Sequence, residues 1–103
     1  MATDVWVLEY QERESPTVIR TTEGRDVKSH GRIWVEADTG RILMTELLLH
    51  QRDVDVAVNV SFKSEPLLGM LVPVEMRERY RGRKGSIIDA VATYGRFAPF
   101  KLE

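Results

Sequence analysis

The most strongly charged stretch of the chain is "RERYRGRKG", residues 77 to 85. Alternate side chains of an extended strand point to the same face. Four arginines would then lie in one row: Arg77, Arg79, Arg81 and Arg83. Such a row could follow a phosphate backbone. A solvated strand face is the simpler interpretation, because fifteen Lys and Arg against sixteen Asp and Glu leave a net charge of -1. The sequence therefore predicts no nucleic-acid partner.

His30 and His50 are the only histidines, and both have aspartates nearby in the sequence. Neither belongs to an HxH or HExxH pattern, the spacings that bring two imidazoles to one metal ion. The chain contains no cysteine, which excludes disulfides and thiolate metal sites. The sequence predicts no metal site and no cofactor.

Asp38-Thr39-Gly40 has the letters of the catalytic triplet of aspartic proteases, enzymes that need two carboxylates sharing a proton at a subunit junction. In those enzymes the triplet follows an apolar strand and precedes a small residue. Here Glu36 and Ala37 precede it and Arg41 follows it. A short hairpin turn with a left-handed Gly40 accounts for the same residues. A dimeric protease-like enzyme ranks a distant third, behind a module that binds a hydrophobic ligand and a structural homodimer. No catalytic residues are predicted.

Two segments alternate apolar and polar residues with a period of two, which is typical of half-buried β-strands. They are "VDVAVNVSFK", residues 54 to 63, and "MLVPVEMRERY", residues 70 to 80. Their apolar sides predict the lining of a hydrophobic concave surface. The predicted ligand-binding residues are Val56, Val58, Val60, Phe62, Val72, Val74 and Met76.

One segment is ambiguous. "TGRILMTELLLHQRD" contains good helix formers, and Thr39 could cap a helix. As a strand, residues 41 to 50 would be mostly apolar on both faces, as in a central strand. The tight turn just before this segment favours the strand.

The whole chain is predicted to be a single all-β domain, residues 1 to 103: a curved antiparallel meander of six to eight strands, forming a half-barrel or partly open barrel. No long amphipathic helix remains to cover its apolar side. The sheet must curl, pair with a second copy, or leave a concavity for a ligand. Trp34 lies among polar neighbours on its strand and could face a partner. The other aromatic residues singled out are Trp6, Tyr94, Phe97 and Phe100.

Four motifs, taken in order, resemble the C-terminal half of LolA-like half-barrel domains, the group of the outer-membrane lipoprotein carriers, and in particular an uncharacterised bacterial domain of that type. The matching residues are Gly31, Trp34, Val35, Glu36, Thr39 and Gly40, then Phe62, then Val72, Pro73 and Met76, then Ala92, Tyr94 and Phe97. The resemblance implies a curved sheet whose concave side holds acyl chains in the periplasm.

The leading hypothesis is a non-catalytic module that binds a lipid or another apolar ligand. The alternative is a structural homodimer without a ligand. No apolar run is long enough to insert into a membrane. "MATDVWVLEY" lacks the pattern of a signal peptide, which predicts a cytoplasmic chain, or a periplasmic one if the chain is part of an exported LolA-like protein.

Overall fold

The computed structural model describes residues 4 to 98 and shows an all-β chain, as the sequence predicts. Eight strands follow one another: β1 (Val5–Gln11), β2 (Ile19–Arg20), β3 (Asp26–Val27), β4 (Ser29–Glu36), β5 (Ile42–His50), β6 (Val54–Glu65), β7 (Met70–Gly82) and β8 (Ile87–Thr93). Within this described part there is no helix, and hence none that could cross a membrane.

Six strands form one sheet in the order β1-β4-β5-β6-β7-β8, and all neighbours are antiparallel. The order follows the chain except that the small β2-β3 sheet interrupts it between β1 and β4. β1 and β8 form the two edges and do not pair with each other, so the sheet stays open. The predicted antiparallel meander is confirmed, in an open form.

The ambiguous segment is strand β5, which confirms the strand interpretation. β5 pairs with β4 on one side and with β6 on the other, so both backbone edges are satisfied. Leu47 lies opposite Val58, and Glu46 lies opposite Asn59. These pairings override the helix propensity of the leucines and the glutamate, because propensity is weak compared with tertiary context.

The Asp-Thr-Gly triplet is the hairpin turn between β4 and β5. Gly40 has a φ of 74°, and its N–H donates a 2.9 Å hydrogen bond to the carbonyl of Glu36. The carboxylate of Glu36 also accepts hydrogen bonds from Thr39 Oγ1 at 2.7 Å and from the guanidinium of Arg41 at 2.9 Å. The residues around Asp38 therefore stabilise the turn: Glu36, Thr39, Gly40 and Arg41.

The segment "PTVIRTT", residues 16 to 22, is strand-like in the sequence but contributes only the two residues of β2. Around β2 and β3, side chains accept hydrogen bonds from backbone N–H groups. Thr17 Oγ1 accepts a hydrogen bond from the N–H of Val27 at 2.9 Å, and the N–H of Thr17 donates to the carboxylate of Asp26 at 3.0 Å. Such side-chain bonds compete with a regular ladder and limit the strand.

The six-stranded sheet is bent. Register shifts occur between Trp34 and Val35, where β4 meets β5, and between Ser61 and Phe62, where β6 meets β7. Bulges of this kind bend a strand and increase its twist. The smallest dimension of the molecule is 29 Å, whereas one flat sheet is about 10 Å thick. The radius of gyration is 16.6 Å, against about 13 Å for a compact domain of this length.

Residues 86 to 100, "SIIDAVATYGRFAPF", are rich in β-branched and aromatic residues and predict a strand, but β8 ends at Thr93, where its pairing with β7 stops. The rings of Tyr94 and Phe97 stack just after it, with their centroids 6.4 Å apart. Phe100, part of the same predicted segment, lies outside the described residues.

Candidate binding face

One face of the sheet is almost entirely apolar. Directly paired residues of antiparallel strands point to the same side, so the register assigns each side chain to a face. This side, which we call the apolar face, consists of Trp6, Leu8, Tyr10, Ile33, Val35, Thr45, Leu47, Leu49, Val54, Val56, Val58, Val60, Met76, Glu78, Tyr80, Ile88, Ala90 and Ala92. Glu78 is its single charged residue. The opposite side, the polar face, carries the charged side chains of the same strands.

The inner part of the apolar face is partly buried, as is most of the polar face of the same strands. On the inner strands β4 to β7, every residue of the apolar face is buried or half-buried. On the same strands the polar face has exposed arginines at Arg32, Arg77 and Arg79. Both faces of the inner strands are thus partly shielded by their own side chains, and the exposed residues of the polar face are mostly arginines.

No second layer covers the apolar face within residues 4 to 98. Only Val27, Leu49 and Val72 are buried among the apolar residues of this part of the chain, and no side chain there is completely buried. Toward the two edges the face is open, since Trp6 is 62% exposed and Ile88 64% exposed. A large apolar surface therefore remains in contact with water.

The structure brings four of the seven predicted lining residues onto the apolar face: Val56, Val58, Val60 and Met76. Val60 lies directly opposite Met76 in the register. The other three lie at or beyond the bulge between β6 and β7. Phe62 stays in phase with Val60 on β6 and pairs with Pro73, Val74 is the extra residue of β7, and Val72 pairs with Lys63. The uniform alternation in the sequence hides this interruption.

Sequence reasoning missed Glu78, the charged residue on the apolar face. Glu78 lies opposite Val58 on one side and Ala90 on the other, and Tyr80 follows it two residues along the strand. Partial burial raises the pKa of Tyr80 above its ordinary value of 10.0, and the charge of Glu78 raises it further. The alternation of β7 puts Glu78 in phase with Met76, which is the signal that could have identified it.

On the polar face, three of the four arginines in the predicted row have carboxylate partners. Arg77 pairs with Glu75. Arg79 Nε lies 2.8 Å from Asp89, and Arg83 lies 3.3 Å from Asp55. The acids that neutralise the row come from three different strands. Such exposed ion pairs contribute little to stability, and the solvated-face interpretation stays a prediction.

A depression of about 1000 Å³, open to solvent, lies on the polar face, over β1, β4 and β5. Arg32 lines this depression and donates hydrogen bonds from two nitrogens to the carboxylate of Glu46, at 2.9 and 3.0 Å. This hydrogen bonding keeps the pKa of Glu46 below its ordinary value of 4.5. The guanidinium carbon of Arg32 also lies 4.9 Å from the ring centroid of Trp34. Trp34 thus has an intramolecular partner on the polar face.

The register also brings the two histidines together. The ring centroids of His30 and His50 lie 5.0 Å apart in a stacked arrangement, and His50 Nδ1 is 3.1 Å from the carboxylate of Asp55. The hydrogen bond from His50 lowers the pKa of Asp55. In the described part of the chain, no group of three or more His, Cys, Asp or Glu side chains is arranged to hold a metal ion.

Asp38 is exposed at the tip of the β4–β5 turn, away from the apolar face. No family model, curated protein or solved structure matches the chain. The LolA-like resemblance stays a prediction from the sequence.

Proposed function

We propose that this chain is a non-catalytic binding module whose apolar face takes a lipid or another hydrophobic ligand. The observation that carries the proposal is a continuous apolar face with one charged residue among its inner strands and no second layer over it within residues 4 to 98. A continuous exposed apolar surface of more than a few hundred Å² is rare on monomeric proteins and is usually a binding site.

The expected driving force is burial of apolar area. Each methylene group moved from water onto an apolar surface contributes about 0.8 kcal/mol. Affinity should therefore increase with the length of an acyl chain until the face is filled. Glu78 and Tyr80 supply the polar groups near the β8 end of the face, where the head group of an amphiphile would lie.

The LolA-like resemblance supports the same ligand class. Under this proposal the working compartment is the periplasm if the chain belongs to an exported protein of that group, and the cytoplasm otherwise. The apolar face is the same in both cases.

The test is titration of the purified chain with a fluorescent fatty acid, for which we expect saturable and stoichiometric uptake. Val58→Asn places an amide in the centre of the apolar face and should weaken binding about tenfold. Ala57→Asn is the matched control, because Ala57 precedes Val58 on β6 but points to the polar face. Non-saturable uptake, or an equal loss of affinity in both variants, would contradict the proposal.

The alternative function is structural homodimerisation without a ligand. It is favoured by the scarcity of buried side chains within residues 4 to 98, since a second copy could supply the missing layer. It predicts twice the mass of the chain in light scattering and no uptake of the fatty acid.

A further inference from the structure

The single charged residue of the apolar face lies away from both edges of the sheet. Glu78 is half-buried on β7, and β7 pairs with β6 on one side and with β8 on the other. In the register, Glu78 lies opposite Val58 of β6 and Ala90 of β8. Its neighbours on the same strand and the same face are Met76 and Tyr80, two residues away in each direction. Its carboxylate is therefore bordered by apolar and aromatic side chains.

No cation within residues 4 to 98 neutralises this carboxylate. None of the ion pairs in this part of the chain includes Glu78. Arg77 and Arg79, its two neighbours in the sequence, point to the polar face, where they pair with Glu75 and Asp89. The apolar face itself carries no lysine, arginine or histidine. The negative charge of Glu78 is left without a complement on its own face.

An unpaired carboxylate is unfavourable at such a position. A charge that is partly removed from water destabilises a fold unless it is paired, and an apolar residue at the same place would complete the face. Inward-pointing charges do protect some edge strands from association. Glu78 does not serve that purpose, because both sides of β7 are already paired. A residue that breaks the pattern of its strand in this way is expected at a functional site.

Charge complementarity defines the group that this position accepts. A cation placed against the carboxylate of Glu78 forms an ion pair that is partly shielded from water. Tyr80 lies about 7 Å further along the strand, two residue steps, so its ring is in reach of the same cation. Aromatic rings of this kind attract ammonium groups. We infer that the ligand of the apolar face is an amphiphile with an ammonium head group, held by Glu78 and Tyr80.

The register also gives a path for the apolar tail. Leu47, Val58 and Glu78 lie in one row across β5, β6 and β7. Neighbouring strands are about 4.8 Å apart, so this row is about 10 Å long. On the other side of Glu78, Ala90 is small and exposed, which leaves access for a head group from β8. This inference rests on the proposed function, because it assigns a charge to the ligand of the same face.

The test uses three probes that share a decyl tail and differ in charge: decyltrimethylammonium, decanol and decanoate. Each is titrated, below its micelle concentration, against the purified chain carrying the uncharged fluorescent dye N-phenylnaphthylamine. We expect the ammonium probe to bind about tenfold more tightly than decanoate, with decanol between them, as for one partly exposed ion pair and one cation–π contact. Tetramethylammonium, the head group alone, should not displace the dye, because burial of the tail supplies the affinity.

Glu78→Gln removes the charge and keeps the size of the side chain. It should weaken binding of decyltrimethylammonium about fivefold, leave decanol unchanged and strengthen binding of decanoate. Glu75→Gln is the matched control. It lies on the same strand and changes the net charge equally, but Glu75 points to the polar face, opposite Ser61. Its affinities should equal those of the unmodified chain. Circular dichroism checks that both variants retain the β-sheet.

The expected order of the three probes, lost only in Glu78→Gln, would support the inference. Equal binding of the three probes, or equal changes in the two variants, would overturn it and leave the proposed function intact. Displacement by tetramethylammonium at the same concentration would also overturn it, since the cation would then bind without a tail. If the dye did not bind, or no decyl probe displaced it, both the inference and the proposed function would fail.

Discussion

Tyr10 Oη donates a 2.8 Å hydrogen bond to the main-chain carbonyl of Glu46, although β4 lies between their strands. The bond passes over Gly31, which pairs with Tyr10 on β4 and has no side chain to block the path. Three strands are thereby tied together at one edge of the apolar face. Partial burial raises the pKa of Tyr10, so the phenol stays protonated and able to donate at neutral pH.

Tyr10→Phe removes this hydrogen bond and keeps the ring. We expect the free energy of unfolding to fall by about 1 kcal/mol, the typical contribution of one intramolecular hydrogen bond. Urea denaturation followed by circular dichroism measures it. Tyr94→Phe serves as the control, because Tyr94 is 40% exposed after the end of β8, and its loss should be smaller. Equal losses in the two variants would mean that the bond to Glu46 contributes nothing.

Gly31→Ala should destabilise the fold more strongly. A Cβ at this position would lie 2.0 Å from the carbonyl oxygen of Glu46, so two strands would have to move apart. We expect a loss of about 3 kcal/mol, at the upper end for an overpacked site. Gly95→Ala is matched in chemistry, and its added methyl group would meet no atom within 4 Å. The same urea titration compares them, and a neutral Gly31→Ala would show that the close approach is unimportant.

Leu49 is one of the few buried apolar residues, with 6% of its surface exposed, and Leu67 is 75% exposed. Leu49→Ala should cost about 2 kcal/mol, because it removes buried methyl groups and leaves a cavity. Leu67→Ala should change stability by less than about 0.5 kcal/mol. Thermal denaturation of both variants tests this difference. If the two variants lost stability equally, the end of the apolar face near Leu49 would not be a packing centre.

Glu12 makes the fold sensitive to acid. Its carboxylate accepts hydrogen bonds from the backbone N–H groups of Ser29 and Val18, both at 3.1 Å, and these bonds lower its pKa below the ordinary value of 4.5. A carboxyl group with a lowered folded-state pKa contributes stability above its unfolded pKa. That contribution is lost as the pH falls through the folded-state pKa.

Stability should therefore decline as the pH drops below about 4.5, and Glu12→Gln should show a shallower decline. The measurement is the urea midpoint at a series of pH values. Glu14→Gln is the control, because Glu14 is exposed two residues away in the same loop. Parallel pH profiles for Glu12→Gln and the unmodified chain would refute this role.

The strands themselves were predictable from local signals. The alternation of Val54 to Phe62 gives β6, and the turn chemistry around Gly40 decided correctly that the leucine-rich segment after it is a strand. Both signals depend on residues that are near one another in the chain, so no knowledge of the partners is needed. The two-residue length of β2 was not predictable. The side chains of Thr17 and Asp26 accept hydrogen bonds from the N–H groups of Val27 and Thr17, and only the folded loop brings these groups together.

The amino-acid sequence by itself determined that this chain is all-β and that its strands have an apolar side, because side-chain alternation is a property of each strand alone. Only the tertiary structure decided which side chains meet. His30 stacks on His50, Arg79 binds Asp89, and Glu78 joins the valines of β6, because antiparallel register couples residues that are far apart in the chain. The bulge after Ser61 and the two open edges are likewise products of pairing, which no single strand encodes.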